Sequence, residues 1–253
     1  MIPARYFTLF ILFSFLGWVW ETIYCSIKNG HFANRGFLFG PICPIYGFSL
    51  IILQGLYDFL PESVIANAEV WQVFVISLVG SAIVEYTTSW YMEKRFHARW
   101  WDYSRVPLNI QGRIAFPISV CFGIAGVLAF KFLLPALAGW QEKIPAIAFE
   151  IAAIVLGMVL GADFALTEAN MSTLMDRVRE MESEFVAFGE SVMEAPGKAK
   201  RKARVKAEAV EAGIRARIQA TSDIMSHRQR YILKNIRTFV IFRRKEKDEN
   251  TET

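Results

Sequence analysis

The sequence predicts an all-α integral membrane protein: five transmembrane helices with the N-terminus outside and the C-terminus in the cytoplasm, followed by a cytoplasmic amphipathic helical hairpin or coiled coil. Three observations predict it. First, 54 % of the 253 residues are hydrophobic, including 21 Phe and 7 Trp, with a mean hydropathy of +0.30; a soluble domain holds about 45–50 %. Second, charge is unevenly spread. Residues 1–166 carry 10 Lys/Arg and 10 Asp/Glu, whereas residues 167–253 carry 18 and 14. Third, five apolar stretches are each long enough to cross a hydrocarbon core of about 30 Å, which takes roughly 20 helical residues. The expected organisation is a transmembrane domain at 1–166, a helical arm at 167–247 and a disordered tail at 248–253.

The spans fall near Tyr6–Ile27, Phe37–Leu60, Trp71–Met92, Ile114–Trp140 and Ile144–Leu166. Trp or Tyr lies near several of their ends, as interfacial anchoring predicts. The first span does not read as a cleavable signal, because it lacks a basic flank and a small-residue cleavage site. The second opens on Gly40-Pro41-Ile42-Cys43-Pro44. Two prolines there remove amide donors and bend the entry, so irregular backbone must be buried in protein or face water. The third carries Ser81, Glu85, Thr88, Ser89 and Met92 at steps of three and four, a polar stripe that must face the bundle interior. The fifth repeats Ala153, Gly157, Gly161 and Ala165 every fourth residue, a stripe that lets another helix approach within the bundle or across an oligomer contact.

Orientation follows from Lys and Arg, which favour the cytoplasm. Lys28, Arg35, Lys94, Arg95, Arg99, Arg105, Arg113 and the basic tail fall on one side; Arg5, the acidic Asp58, Glu62 and Glu69, and the Glu142/Lys143 pair fall on the other. In the arm, Met171, Leu174, Val178, Met181, Phe185, Phe188 and Val192 step by three and four, a heptad seam. Ala195-Pro196-Gly197 breaks it, and Val210, Ile214, Ile218, Met225 and Ile232 suggest a second amphipathic helix. The run Lys198–Lys206 reads as a solvated face rather than a nucleic-acid contact. The end, Tyr231 to Lys245, has the aromatic and basic character of a bilayer-surface segment.

Charged groups inside a bilayer are costly and invite a functional reading. Glu21 and Glu85 lie deep in spans one and three, and Asp163 lies near the inner end of span five. The connection Glu93-Lys94-Arg95-Phe96-His97-Ala98-Arg99-Trp100-Trp101-Asp102-Tyr103-Ser104, continuing to Arg113, packs cations, carboxylates and rings into some twenty residues. Its functional reading is an anion site in which Arg35, Arg99 and Arg113 gather a phosphate, carboxylate or bicarbonate against Glu21 and Glu85. Tyr46, Ser89, Trp100, Asp102 and Asn109 complete the candidate binding set. The competing reading is interfacial anchoring, with Glu21–Arg35 and Glu85–Arg113 ion pairs holding the bundle in register. No metal or cofactor is expected: Cys25, Cys43, His31 and His97 lack ligand spacing, and no phosphate-loop, dinucleotide or nucleophile-elbow motif is present. Three cysteines also make no disulfide framework.

Gly17-Trp18-Val19-Trp20-Glu21, Asn34-Arg35-Gly36-Phe37-Leu38-Phe39-Gly40-Pro41-Ile42-Cys43-Pro44-Ile45-Tyr46-Gly47, Glu85-Tyr86-Thr87-Thr88-Ser89-Trp90 and Arg99-Trp100-Trp101-Asp102-Tyr103-Ser104 resemble the CmpB-like type IV ABC-transporter permease family of bacteria. The resemblance covers about residues 10–135 and leaves the arm outside. It implies a multi-pass permease component of the bacterial cytoplasmic membrane. A separate ATPase subunit is the partner it implies, docking on the arm or on the connection after span three. The chain has no EAA-type coupling loop with the glycine spacing of ordinary importer permeases.

Three functions therefore compete. One is a transport component. Another is a membrane enzyme acting on a lipid or isoprenoid phosphate, with Glu21 or Glu85 as base and His97 or Tyr103 as proton donor. The third is a scaffold whose arm binds a partner. Membrane lipid is an expected partner in all three, oligomerisation could run through helix 153–165 or the arm, and nucleic acid is not expected.

Overall fold

The computed structural model describes residues 2–34, 36–193, 236 and 238–239. It is mostly helical. The elements run α1 (Ile2–Asn29), α2 (Pro44–Phe59), α3 (Glu62–Ala66), α4 (Val70–Phe96), β1 (Ala98–Arg99), β2 (Asn109–Ile110), β3 (Ile114–Ala115), α5 (Phe116–Leu128), a π-helical turn (Ala129–Leu133), α6 (Leu134–Gln141), α7 (Ala146–Met193) and β4 (Thr238–Phe239). By contacts the chain divides into two units, Met1–Ala165 with Asn235–Thr253, and Leu166–Lys234.

Four helical stretches are long and apolar enough to cross a membrane: Ile2–Asn29, Val70–Phe96, Phe116–Gln141 and Ala146–Asp176. The expected second span differs. Of Phe37–Leu60 only Pro44–Phe59 is helical, 16 residues or about 24 Å of rise. Pro44 sits in the first turn, where a missing amide hydrogen costs nothing. The stretch before it stays irregular, and several of its amides find acceptors inside the protein. Cys43 N–H donates to the Ser14 carbonyl at 2.9 Å; Phe39 and Gly40 N–H donate to the Asp163 carboxylate at 3.1 and 2.9 Å. Leu38 and Cys43 are buried there. Unfolded backbone at membrane depth is tolerated only under such cover.

Close helix approach supports this arrangement. A Cβ on Gly17 would collide with the Tyr46 ring, and one on Gly47 with Ser14 Oγ, so α1 and α2 meet where glycine permits it. Away from the loops, Leu9, Phe13, Leu53, Val73, Ala129, Phe130 and Leu134 form the apolar core. At that end Asp58 gathers Arg5 at 2.9 Å, Tyr6 at 2.7 Å and Gln54 at 2.8 Å. Ile147, Ile151, Ile154, Met158 and Val159 of α7 are exposed, the kind of apolar surface a bilayer covers.

α7 continues without a break from the fifth apolar stretch to Met193. Met171 and Leu174, the first seam positions, are buried. The later seam side chains, the Lys198–Lys206 run, the second amphipathic helix and the 248–253 tail lie outside the described residues. Thr238–Phe239, within the expected bilayer-surface segment, forms a short strand antiparallel to Ala98–Arg99.

Candidate functional site

The polar site is built on the connection between α4 and α5. α4 ends at His97, whose left-handed backbone (φ 50°) caps the helix through its N–H to the Glu93 carbonyl. The chain then runs through β1 and a turn in which Asp102 Oδ1 accepts the Ser104 N–H at 2.9 Å. β2 and β3 close a hairpin whose turn residues Gln111 and Gly112 both have positive φ. Gly112 is required twice over: its φ is +68°, and a Cβ would strike Asp102 and Ser104. Asn109 holds the same turn, donating to the Val106 carbonyl at 2.8 Å and accepting Gly112 N–H at 3.0 Å.

This loop delivers two arginines to one carboxylate. Arg99 Nε donates to Glu93 Oε2 at 2.6 Å, and Arg113 Nη2 lies 3.0 Å from the same oxygen. Both guanidiniums are 8 % exposed and Glu93 is 17 % exposed. Arg99 Nη1 also donates to the Gln111 carbonyl at 3.0 Å, and Arg113 Nη1 reaches Ser89 Oγ at 3.5 Å. Arg113 stands over the Tyr86 ring at 5.6 Å, while Tyr86 donates to Gln111 Oε1 at 3.0 Å. Among the described contacts, two nearly buried positive charges share one negative carboxylate.

Deeper in the bundle lie two carboxylates held by phenols. Tyr103 reaches inward from the loop and donates to Glu85 Oε1 at 2.9 Å. Tyr46 of α2 donates to Glu21 Oε1 at 2.7 Å, and Cys25 Sγ is 3.5 Å from Glu21 Oε2. Glu85 is 5 % exposed, and its Oε2 has no hydrogen-bond partner among the described residues. Burial, then the charge of Glu85 and beyond it Glu21, holds the Tyr103 phenol well above its usual value. Tyr103 is thus a fixed hydrogen-bond donor and a poor acid.

The structure therefore brings together Glu21 with Tyr46, Glu85 with Tyr103, and Arg99 with Arg113 and Ser89. The expected Glu85–Arg113 pair does not form. Both arginines close on Glu93 in the last turn of α4, and Arg113 extends from there to Ser89; Glu85 is four residues, or about 6 Å, deeper than Ser89. Trp100 packs instead with Phe37 and Phe96, ring centroids 5.4 and 6.0 Å away. Asp102 and Asn109 shape the turn, and His97 caps α4. Arg35 lies outside the described residues. Glu93, Gln111 and Asp163 were not in the expected binding set. Glu93 lay in the connection after span three, just beyond the end of the expected span, and was given no binding role. Among the described residues no three His, Cys, Asp or Glu side chains gather as a metal site.

No curated protein and no solved structure matches the chain. The family model described as "Putative ABC-transporter type IV" matches residues 8–168, which takes in every element of the site except β4. The chain belongs to that family of ABC-transporter components.

Proposed function

We propose that this protein is the permease component of a bacterial transporter, and that Arg99 and Arg113 bind an anionic group at the cytoplasmic side of its bundle. The observation that carries the reading is the pair of nearly buried guanidiniums sharing the single Glu93 carboxylate at the end of an apolar bundle. Guanidinium forks are suited to phosphate and carboxylate. Two positive charges sharing one carboxylate in a low-dielectric setting attract a counter-ion. The Lys/Arg distribution favours the N-terminus outside and the C-terminus inside, with α2 and its irregular entry as a fifth span. A separate ATPase is the partner suggested by family membership. Catalysis on a lipid phosphate is less well supported, because Tyr103 is held as a donor rather than an acid.

The test is a thermal-unfolding screen of the full chain in lipid nanodiscs with phosphate, sulfate, bicarbonate and simple carboxylates. One anion class should stabilise the wild type, by about 2.7 kcal/mol at a concentration 100-fold above its Kd. Arg113→Gln should remove the effect. Equal responses to every salt, unchanged in Arg113→Gln, would refute the anion site.

A further inference from the structure

We propose that Glu85 is a proton-binding site within the bundle, distinct from the arginine pair and independent of whether that pair takes an anion. Glu85 lies in the middle of α4, 5 % exposed. One oxygen accepts from Tyr103, and the other has no partner among the described residues. An ionised carboxylate in such a place requires a cation, because transfer out of water without one costs several kcal/mol.

Among the described residues, the groups around it do not supply that cation. From α1 come Glu21 and Cys25, themselves in contact, together with Tyr24. From α2 and its entry come Tyr46, bound to Glu21, and Cys43. The loop contributes Tyr103, and α4 itself contributes Ser89. α5, packed along α4, holds no ionisable side chain except the exposed Cys121. The nearest described cations on the loop, Arg99 and Arg113, are engaged by Glu93, and Arg113 reaches along α4 to Ser89 Oγ at 3.5 Å, one turn from Glu85, without pairing with it. Among the described residues no cationic side chain pairs with Glu85, and the titratable groups set against it and Tyr103 are Glu21 and Tyr24.

A proton resolves the conflict with the least rearrangement. One proton from a hydronium ion, which is left as water, converts the carboxylate to the neutral acid, and the reverse step returns it to water. Tyr103, carried by the loop, touches the group directly, so loop movement and proton occupancy are linked. A bundle whose loop side also gathers two arginines would then have separate places for a proton and for an anion.

The experiment is carbodiimide labelling of the full chain in nanodiscs, read by mass spectrometry. An apolar carbodiimide adds to the protonated carboxyl and leaves a stable N-acylurea on that residue. Glu85 should be labelled at neutral pH and Glu93, paired with two arginines, should not. Labelling of Glu85 should fall about ten-fold per pH unit once the site empties on the alkaline side. Infrared spectra give a second reading that needs no reagent access: a protonated-carboxyl stretch, shifted in heavy water, present in wild type and missing in Glu85→Gln. Absence of that band from wild type at neutral pH would overturn the proposal. So would suppression of labelling by sodium at constant pH, which would make the site one for a metal cation.

Discussion

Replacing Glu93 by Gln tests whether the arginine pair is an electrostatic unit. The wild-type carboxylate oxygen lies 2.6 Å from Arg99 Nε and 3.0 Å from Arg113 Nη2. Glutamine keeps the size and an acceptor but removes the charge, leaving two guanidiniums, each 8 % exposed, next to one another without a counter-ion. Breaking a buried pair by removing one partner costs about 3–5 kcal/mol. Glu93 is 17 % exposed, which places the expectation near the lower end, at about 3 kcal/mol. For a chain of this size that corresponds to a fall in Tm of roughly 6–12 °C. The assay is thermal unfolding in nanodiscs at low salt, repeated with the anion that stabilises wild type. Because the competing carboxylate is gone, Glu93→Gln should bind that anion more tightly than wild type and recover most of the lost stability. A matched apolar replacement of all three residues should restore stability without anion response. Glu93→Gln with unchanged Tm, or with a loss no anion recovers, would refute the reasoning.

Three further outcomes follow from other parts of the molecule. Asp163→Ala removes the acceptor for the Phe39 and Gly40 N–H groups, leaving buried donors at about 1–3 kcal/mol each; the buried Cys43 thiol should then react with maleimide faster than in wild type, and an unchanged rate would contradict the role given to Asp163. The raised value of Tyr103 means its neutral form is favoured by folding, so its contribution to stability is complete below the ordinary phenol value and is lost as pH rises beyond about 10. Tyr103→Phe should flatten that alkaline loss in unfolding measurements across pH; an identical slope would exclude the coupling. A cysteine in place of Glu62 should react with an impermeant thiol reagent outside intact cells and one in place of Arg105 should not, and the opposite pattern would invert the proposed topology.

Part of the architecture is written in the sequence itself. The apolar stretches around α1, α4, α5–α6 and the first part of α7 announce themselves by length and composition, because lipid imposes an unbroken run of about 20 apolar residues on any spanning helix. The Pro41/Pro44 break also showed where helix would fail. It did not show that α2 would shrink to Pro44–Phe59, since that depends on Ser14 and Asp163 offering acceptors to the irregular backbone. Glu21, Glu85, Arg99 and Arg113 stood out because charge is rare at those depths.

Their partners were another matter. Depth along a helix is a local property, so composition and periodicity alone placed Glu85 inside a span and marked its face as polar. Which donor meets it is decided by loop geometry: positive-φ turns at His97, Gln111 and Gly112 aim Tyr103 inward and hold both arginines at Glu93. Sequence separation says little about such contacts, and a long arginine has no preference of its own between two carboxylates on one helix face. The tertiary fold made that choice by bringing both guanidiniums onto Glu93, with Arg113 extending only as far as Ser89, because a side chain can reach only as far as its backbone position lets it.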